Sequence, residues 1–250
     1  MMNYGCEGLN AVISGGTSGI GLATAEKLLA DGANVYILGR SVLRGAMAVQ
    51  KLQAATERKA VYIPCDVTNG EDCRKALQSI GESLHILVNA AGVYMEKRLE
   101  NFTEEDFSYI IDTNVKGTML LTQAALPYMY GGGSIVNIAS DAGINGNYGC
   151  PLYCASKGAV VALTKALALD YAPNIRVNCV CPADVDTPLL RKQLEDSNGG
   201  YTMADMAEAY PMQRIGRAEE VAHVICSVAS PVNGFMTGAV IPVDGGLTAK

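Results

Sequence analysis

Seven short apolar runs recur along the chain, and longer stretches of helical period lie between them. The runs are Ala11-Val12-Ile13, Val35-Tyr36-Ile37-Leu38, Ala60-Val61-Tyr62-Ile63, Ile86-Leu87-Val88, Ile135-Val136-Asn137-Ile138, Arg176-Val177-Asn178-Cys179-Val180 and Ala239-Val240-Ile241-Pro242-Val243. They are nearly all apolar rather than alternating, which predicts parallel strands covered on both faces. The stretches between them predict helices. Gly32 closes the first, Thr68 with Glu71 reads as a capping box, and Thr103 precedes the acidic turn Glu104-Glu105-Asp106. Strand and helix alternating throughout implies an α/β fold with a doubly wound parallel sheet and right-handed crossovers. No repeat or linker interrupts the pattern, so residues 1–250 are expected to form one domain. Only 183–217 breaks it: Asn198-Gly199-Gly200 sits among short helical pieces, as in a mobile lid inserted over the sheet edge.

Composition narrows the chemistry. The net charge of −6 argues against a nucleic-acid or anionic-membrane surface, where positive charge supplies affinity. No run of 18 apolar residues predicts a transmembrane helix, and no basic-then-apolar leader is visible, so a cytoplasmic location is expected. The eight cysteines lack CxxC pairs and zinc spacing, and read as reduced thiols with no metal site. His85 and His223, the two histidines, are too few for a histidine-rich metal centre. No GxSxG elbow is present and neither histidine suits a triad, which argues against a serine hydrolase. The 27 glycines exceed the average share, and their positions matter.

Ser14-Gly15-Gly16-Thr17-Ser18-Gly19-Ile20-Gly21 follows the first strand and opens the first helix. Glycines there allow a tight turn and let backbone N–H groups approach a pyrophosphate at the positive helix end. The spacing is not GxGxxG, and no GKS or GKT phosphate loop occurs, so ATP and GTP are poor candidates. Alone, the segment could be an ordinary glycine-rich turn.

Three motifs in order remove that ambiguity: the glycine turn, Asn89-Ala90-Ala91-Gly92 after the fourth strand, and Tyr153-Cys154-Ala155-Ser156-Lys157. Together they resemble the short-chain dehydrogenase/reductase family, whose signature is TGxxxGxG, NAG and YxxxK. Ser14 stands in the threonine place, and the likeness runs from about residue 9 to 248, including Asp244-Gly245-Gly246. The resemblance implies a Rossmann-type fold and hydride transfer between a nicotinamide cofactor and a ketone or secondary alcohol. An inert dinucleotide-binding sensor or scaffold on the same fold is the alternative, since fold does not fix function. The intact Ser140, Tyr153 and Lys157 favour the enzyme.

Cofactor choice turns on the end of the second strand. An acid there would bind the ribose 2′-hydroxyl of NAD. The chain has Gly39 followed by Arg40 and Ser41. Without a carboxylate to repel it, a 2′-phosphate could be held by Arg40, so NADP(H) is favoured, with NAD(H) the alternative. Arg40 could equally be a solvated loop charge, and no basic residue occupies 16–18. By resemblance, Asp66 and Val67 lie at the adenine, Asn89, Ala90 and Gly92 line the cofactor, and Pro182 and Thr187 follow the sixth strand near the carboxamide or phosphates. Ala183 replaces the family's usual glycine.

Tyr153 and Lys157 are four apart on a predicted helix and share a face. A ketone accepting hydride develops alkoxide charge and needs a proton donor poised near neutral pH. Free tyrosine has a pKa of about 10, and bringing it near 7 takes about 4 kcal/mol, which a neighbouring ammonium can help supply. In isolation such a pair is more often a half-buried tyrosine beside a solvated lysine. The resemblance assigns Ser140 to the substrate oxygen, Lys157 also to the nicotinamide ribose, and the Asn114 backbone carbonyl to a water relay. It also implies a homotetramer or homodimer packed through helices around 104–129 and 153–171. The substrate pocket is expected from 141–152, 183–212 and the turn near Tyr94, with Ile144, Tyr148, Leu152, Leu189, Met203, Met206 and Met212 as candidate lining; the methionines could make the insertion an apolar lid, and at helical spacing could equally be plain core. A 3-oxoacyl thioester, a steroid and a cyclic diol all fit that expectation.

Overall fold

The computed structural model describes residues 3–129, 131–197 and 199–249. The apolar runs form β1 (Asn10–Ser14), β2 (Asn34–Gly39), β3 (Val61–Pro64), β4 (Ile86–Asn89), β5 (Gly133–Ile138), β6 (Ile175–Pro182) and, last in the sheet, β9 (Val240–Val243). All pair in parallel in the order β3-β2-β1-β4-β5-β6-β9. Strand order reverses between β1 and β4, and crevices at such switch points bind ligands.

Side chains alternate between the two faces. Ala11 and Ile13 enter one apolar core, with Leu28 of α1 (Gly19–Ala30), Leu52 of α2 (Val42–Thr56) and Ile225 of α9 (Ala218–Ala229). Val12 enters the other, with Leu77 of α3 (Gly70–Ile80), Leu121 of α5 (Gly117–Ala125) and Ala168 of α6 (Pro151–Tyr171). The uninterrupted apolarity of the strands follows from this two-sided burial.

Local signals fare unevenly. Thr103 and Asp106 form a capping box at α4 (Glu104–Ile111), and Gly32 takes φ +95° just past the end of α1. The Thr68–Glu71 box is not formed. Asn69 caps α3 instead, accepting from the N–H groups of Glu71 and Asp72, while Glu71 reaches forward to Arg74 at 2.7 Å. Thr68 turns back to Asp66, whose carboxylate accepts its N–H at 3.0 Å and its hydroxyl at 2.9 Å. Between α4 and α5 the helix widens into a π turn over Asp112–Lys116, which the apolar period did not predict.

The segment 183–217 holds α7 (Pro188–Asp196) and α8 (Met203–Glu208). Two short strands, β7 (Val185–Asp186) and β8 (Gly216–Arg217), pair in parallel at its base. They carry no apolar signature and were absent from the expected elements. No unbroken apolar run exists, yet by length and composition α6 could cross a membrane, with a mean hydropathy of 1.3 over 18 residues, and among the described residues it is the one helix that long and apolar. It lies against β6 and buries Lys157, so one face serves the core.

Candidate active site

The cleft begins where β1 ends. Ser14 Oγ accepts the N–H groups of Ala90 and Ala91, each at 3.1 Å, tying the glycine turn to the segment after β4. Gly15 has φ +64°, and a Cβ on Gly21 would lie 2.5 Å from the Gly15 carbonyl oxygen. The turn therefore closes only without side chains at these positions. Ser18 precedes α1 without making a side-chain cap bond. The first-turn N–H groups of Gly19, Ile20 and Gly21 line the cleft and have no intrahelical partner, a donor set that fits a pyrophosphate. Thr17 and Ser18 line it too, and Thr187 abuts the turn: a Cβ on Gly19 would meet its methyl at 3.2 Å.

Beyond β2 the wall carries Arg40 and, one helical turn on, Arg44. A side chain at Gly39 would start 3.0 Å from the Thr17 methyl, so the position has little room for an acid. Asp66 and Val67 form the neighbouring wall, Ala90 and Gly92 the floor after β4, and Pro182 the edge after β6. The whole cleft has a volume of about 440 Å³.

Its other end holds Ser140, Tyr153 and Lys157. Lys157 is buried, donates to the Ile138 carbonyl at 2.9 Å, and places Nζ 5.7 Å from the centre of the Tyr153 ring. Ser140 Oγ donates to Asp141 at 2.7 Å and accepts the Ala142 N–H at 3.2 Å. Burial, which disfavours charge, lowers the Lys157 ammonium to about 8. Burial also raises the Tyr153 phenol above its ordinary value; a hydrogen bond with Ser140 opposes this, while the charge of Asp141 adds to it. Desolvation is thus the largest influence on the phenol in this arrangement.

Next to these residues the cleft is more polar than an apolar lid would make it. Tyr94 packs edge-on against Tyr153 with ring centroids 4.9 Å apart. Of the expected apolar lining, Tyr148, Leu189 and Met206 reach the cleft, whereas Ile144, Leu152, Met203 and Met212 do not. Glu96, Asp141, Asn147, Asp184, Gln193 and Tyr201 line it as well. Burial raises the Asp184 carboxyl, whose oxygen accepts the Tyr210 hydroxyl at 2.6 Å.

A family profile described as enoyl-(acyl carrier protein) reductase matches residues 15–248, nearly the whole of this architecture. The chain is a short-chain dehydrogenase/reductase. It is 37% identical to an uncharacterized oxidoreductase of Thermotoga maritima, over 99% of this chain and 100% of that protein. It is 35% identical to a 3-oxoacyl-[acyl-carrier-protein] reductase of the same organism, over 96% of this chain and 98% of that one. Aldohexose dehydrogenase of Thermoplasma acidophilum, solved in ligand-free form, superposes with a TM-score of 0.89 at 34% identity, covering 100% and 97% of the two chains. Enzymes of this family use a nicotinamide cofactor.

In this short-chain dehydrogenase/reductase most predicted site residues meet in one cleft, and three lie behind its wall. Ser41 caps α2, accepting the Arg44 N–H at 3.3 Å, and it is Arg44 that faces the cleft. A second arginine four residues after Arg40, one helical turn on, was the signal that could have found it. Asn89 is buried below the floor and donates to Thr122 at 3.0 Å and to Asn137 at 2.8 Å. Asn137 continues the ladder to Thr164 at 2.9 Å, so the asparagine couples β4, β5, α5 and α6. Asn114 sits in the π turn, where its side chain accepts from the Val93 N–H at 2.9 Å and donates to the Val93 carbonyl and Ser156, each at 3.0 Å. Its backbone carbonyl accepts the Thr118 hydroxyl at 2.8 Å. Ala183 sits outside the positive-φ positions, so the missing glycine entails no strain there. All eight cysteines are free, and no cluster among the described residues could hold a metal ion.

Proposed function

We propose that the protein is an NADP(H)-preferring oxidoreductase that interconverts a ketone and a secondary alcohol. One observation carries this reading: Ser140, Tyr153 and Lys157 close one end of a cleft whose far end bears Arg40 and Arg44 beside an acid-free Gly39. The bound dinucleotide supplies or accepts the hydride. Gly15, Gly19 and Gly21 give the pyrophosphate close approach, and Arg40 with Arg44 offers two guanidinium groups to a 2′-phosphate. Ser140 holds the substrate oxygen. Tyr153 delivers a proton to that oxygen in reduction and removes one in oxidation. Lys157 stabilises the phenolate left behind and hydrogen-bonds the nicotinamide ribose. Asn114 fixes Val93 beside it, and its backbone carbonyl is the candidate anchor for the relay water.

The reading extends to one domain in which 183–217 closes over substrate, and to a cytoplasmic homotetramer. Exposed Phe107, Met119 and Leu169 on α4, α5 and α6 supply apolar faces for that association. The test is absorbance at 340 nm with NADPH and then NADH over a panel of ketones. We expect faster turnover with NADPH, and a drop of about tenfold or more in that preference when both arginines become alanine. Equal use of the two cofactors by the unmodified protein would sink the preference. Silence from every ketone with cofactor still bound would sink the enzyme.

A further inference from the structure

We infer that the substrate is a small polyhydroxylated alcohol or ketone, recognised through its hydroxyl groups, rather than an acyl chain or a fused hydrocarbon ring. The inference rests on the oxidoreductase reading and concerns the same cleft. Its basis is the unspent hydrogen-bonding capacity around Tyr153.

Three polar stations surround the reacting position. In the first, Gln193 Nε2 donates to the Tyr201 hydroxyl at 2.9 Å, and Tyr201 donates to Glu96 Oε2 at 2.7 Å. The tyrosine proton is spent internally, and Gln193 Nε2 keeps one N–H. The other oxygens, Glu96 Oε1 and Gln193 Oε1, have no partner among the described residues. In the second, Asn147 Nδ2 donates to Asp141 Oδ2 at 3.0 Å, again leaving the asparagine oxygen without a partner among the described residues. In the third, the Tyr210 hydroxyl is used by Asp184 Oδ2, and Oδ1 has no such bond.

What the stations have left is mostly acceptor oxygen, with one spare N–H on each of the two amides, so a complementary ligand must bring donors and gains by accepting as well. A hydrocarbon would strip water from these oxygens and return nothing, which is costly for every group left unpaired. Two kinds of donor remain, hydroxyl and ammonium. A single ammonium could serve one station and would leave the other two dry. Hydroxyls on neighbouring carbons can address all three, and two of the free oxygens belong to neutral amides, which suit hydroxyl partners. None of the ion pairs among the described residues involves Glu96, Asp141 or Asp184, so the carboxylates are not already committed to internal cations.

The decisive comparison varies the substituents on one cyclohexane ring and adds a fused-ring hydrocarbon alcohol. With NADP⁺, oxidation of cyclohexanol, myo-inositol, 4-aminocyclohexanol and decahydro-2-naphthol is followed at 340 nm. We expect kcat/KM for myo-inositol to exceed that for cyclohexanol by about tenfold or more, as two or more added hydrogen bonds require. Replacing Glu96→Gln and Gln193→Ala together, which removes one of the three stations, should lower that ratio about threefold or more. Calorimetric binding to NADP⁺-loaded Tyr153→Phe supplies a readout independent of turnover and should rank the ligands alike. Cyclohexanol or decahydro-2-naphthol binding as tightly as the polyol overturns the inference, and so does 4-aminocyclohexanol leading the series. Failure of all four to turn over, with the polyol still ranked first in binding, counts instead against the oxidoreductase reading and leaves the recognition chemistry standing.

Discussion

The two ends of the cleft are made from different materials. At the cofactor end the wall is largely backbone, and the space a side chain would need is already filled: a Cβ on Gly21 meets a carbonyl oxygen at 2.5 Å, and one on Gly16 meets Ile37 at 2.7 Å. At the substrate end the wall is largely side chain, carried on the loops after β4, β5 and β6. A Cβ on Gly146 there would meet nothing within 4 Å. A pyrophosphate needs close approach and N–H donors whatever the substrate, so that end has few solutions. The substrate end can be rewritten one side chain at a time without disturbing the sheet. Between them stand Tyr153 and Lys157, which in the proposed reading serve both.

The largest predicted effect falls on that boundary. Tyr153→Phe should lower kcat by about 10²–10⁴-fold while leaving NADP(H) affinity nearly unchanged, checked by steady-state rates and cofactor titration. A loss of cofactor binding of similar size would mean that the two ends are not separable there. The second effect is in stability. Burial holds Lys157 at about 8, below its ordinary 10.5. Between those values the unfolded chain binds a proton at this position that the folded chain does not, so the destabilisation due to Lys157 should ease as pH climbs from 8 towards 10. Below 8 both states are protonated and the full penalty of burying the ammonium applies. Burial raises the thiols of Cys6, Cys150 and Cys226, and these pull stability the other way over the same range. Because Tyr153 is raised, its own contribution falls away only above pH 10. The difference in urea stability between the parent and Lys157→Met should therefore shift in the parent's favour by up to ~3 kcal/mol across that window.

A third test sets the ends side by side. Gly21→Ala should cost about 1–3 kcal/mol and weaken NADP(H) binding, since the obstructing atom is backbone and cannot swing away. Gly146→Ala should stay within about 0.5 kcal/mol of the parent in the same melts. Equal costs would erase the contrast. The smallest effect is expected from Tyr201→Phe, which removes the hydroxyl between Gln193 and Glu96. It should raise KM for the preferred substrate by about threefold to tenfold at nearly constant kcat, the sign of lost uniform binding.

The same contrast explains what could be read from the amino-acid sequence. The strands are legible because burial on both faces leaves uninterrupted apolar runs, and the cofactor turn because sterics dictate its glycines. Tyr153 and Lys157 are legible through one helical spacing. Glu96, Asn147, Asp184 and Gln193 have no such signature; they converge from separate loops, and only the fold brings them together. Methionines at helical spacing could not be sorted in the same way: Met206 lines the cleft, and Met203 and Met212 are not part of its lining. Asn89 lies buried beneath the cleft, and the Ser41 hydroxyl is taken up in capping α2. The Thr68 box lost to Asn69, which reaches two N–H groups at the start of α3.

The π turn at Asp112–Lys116 has a consequence for how this enzyme can change. In a regular α-helix each residue advances about 100° around the axis. A widened turn is an extra residue absorbed in place, so the sequence positions before it and after it fall out of step with the regular helical count. Here that widened turn lets Asn114 address Val93 inside while Phe107 and Met119, on either side of it, face outwards. Deleting one residue of 112–116 would restore an ideal helix with its two halves in nearly the same relative orientation, since the extra residue is absorbed within the turn. The outer apolar positions would keep their direction, while the widened turn that carries Asn114 and its inner bonds would be lost. The irregularity is thus a local device, removable without turning the rest of the helix.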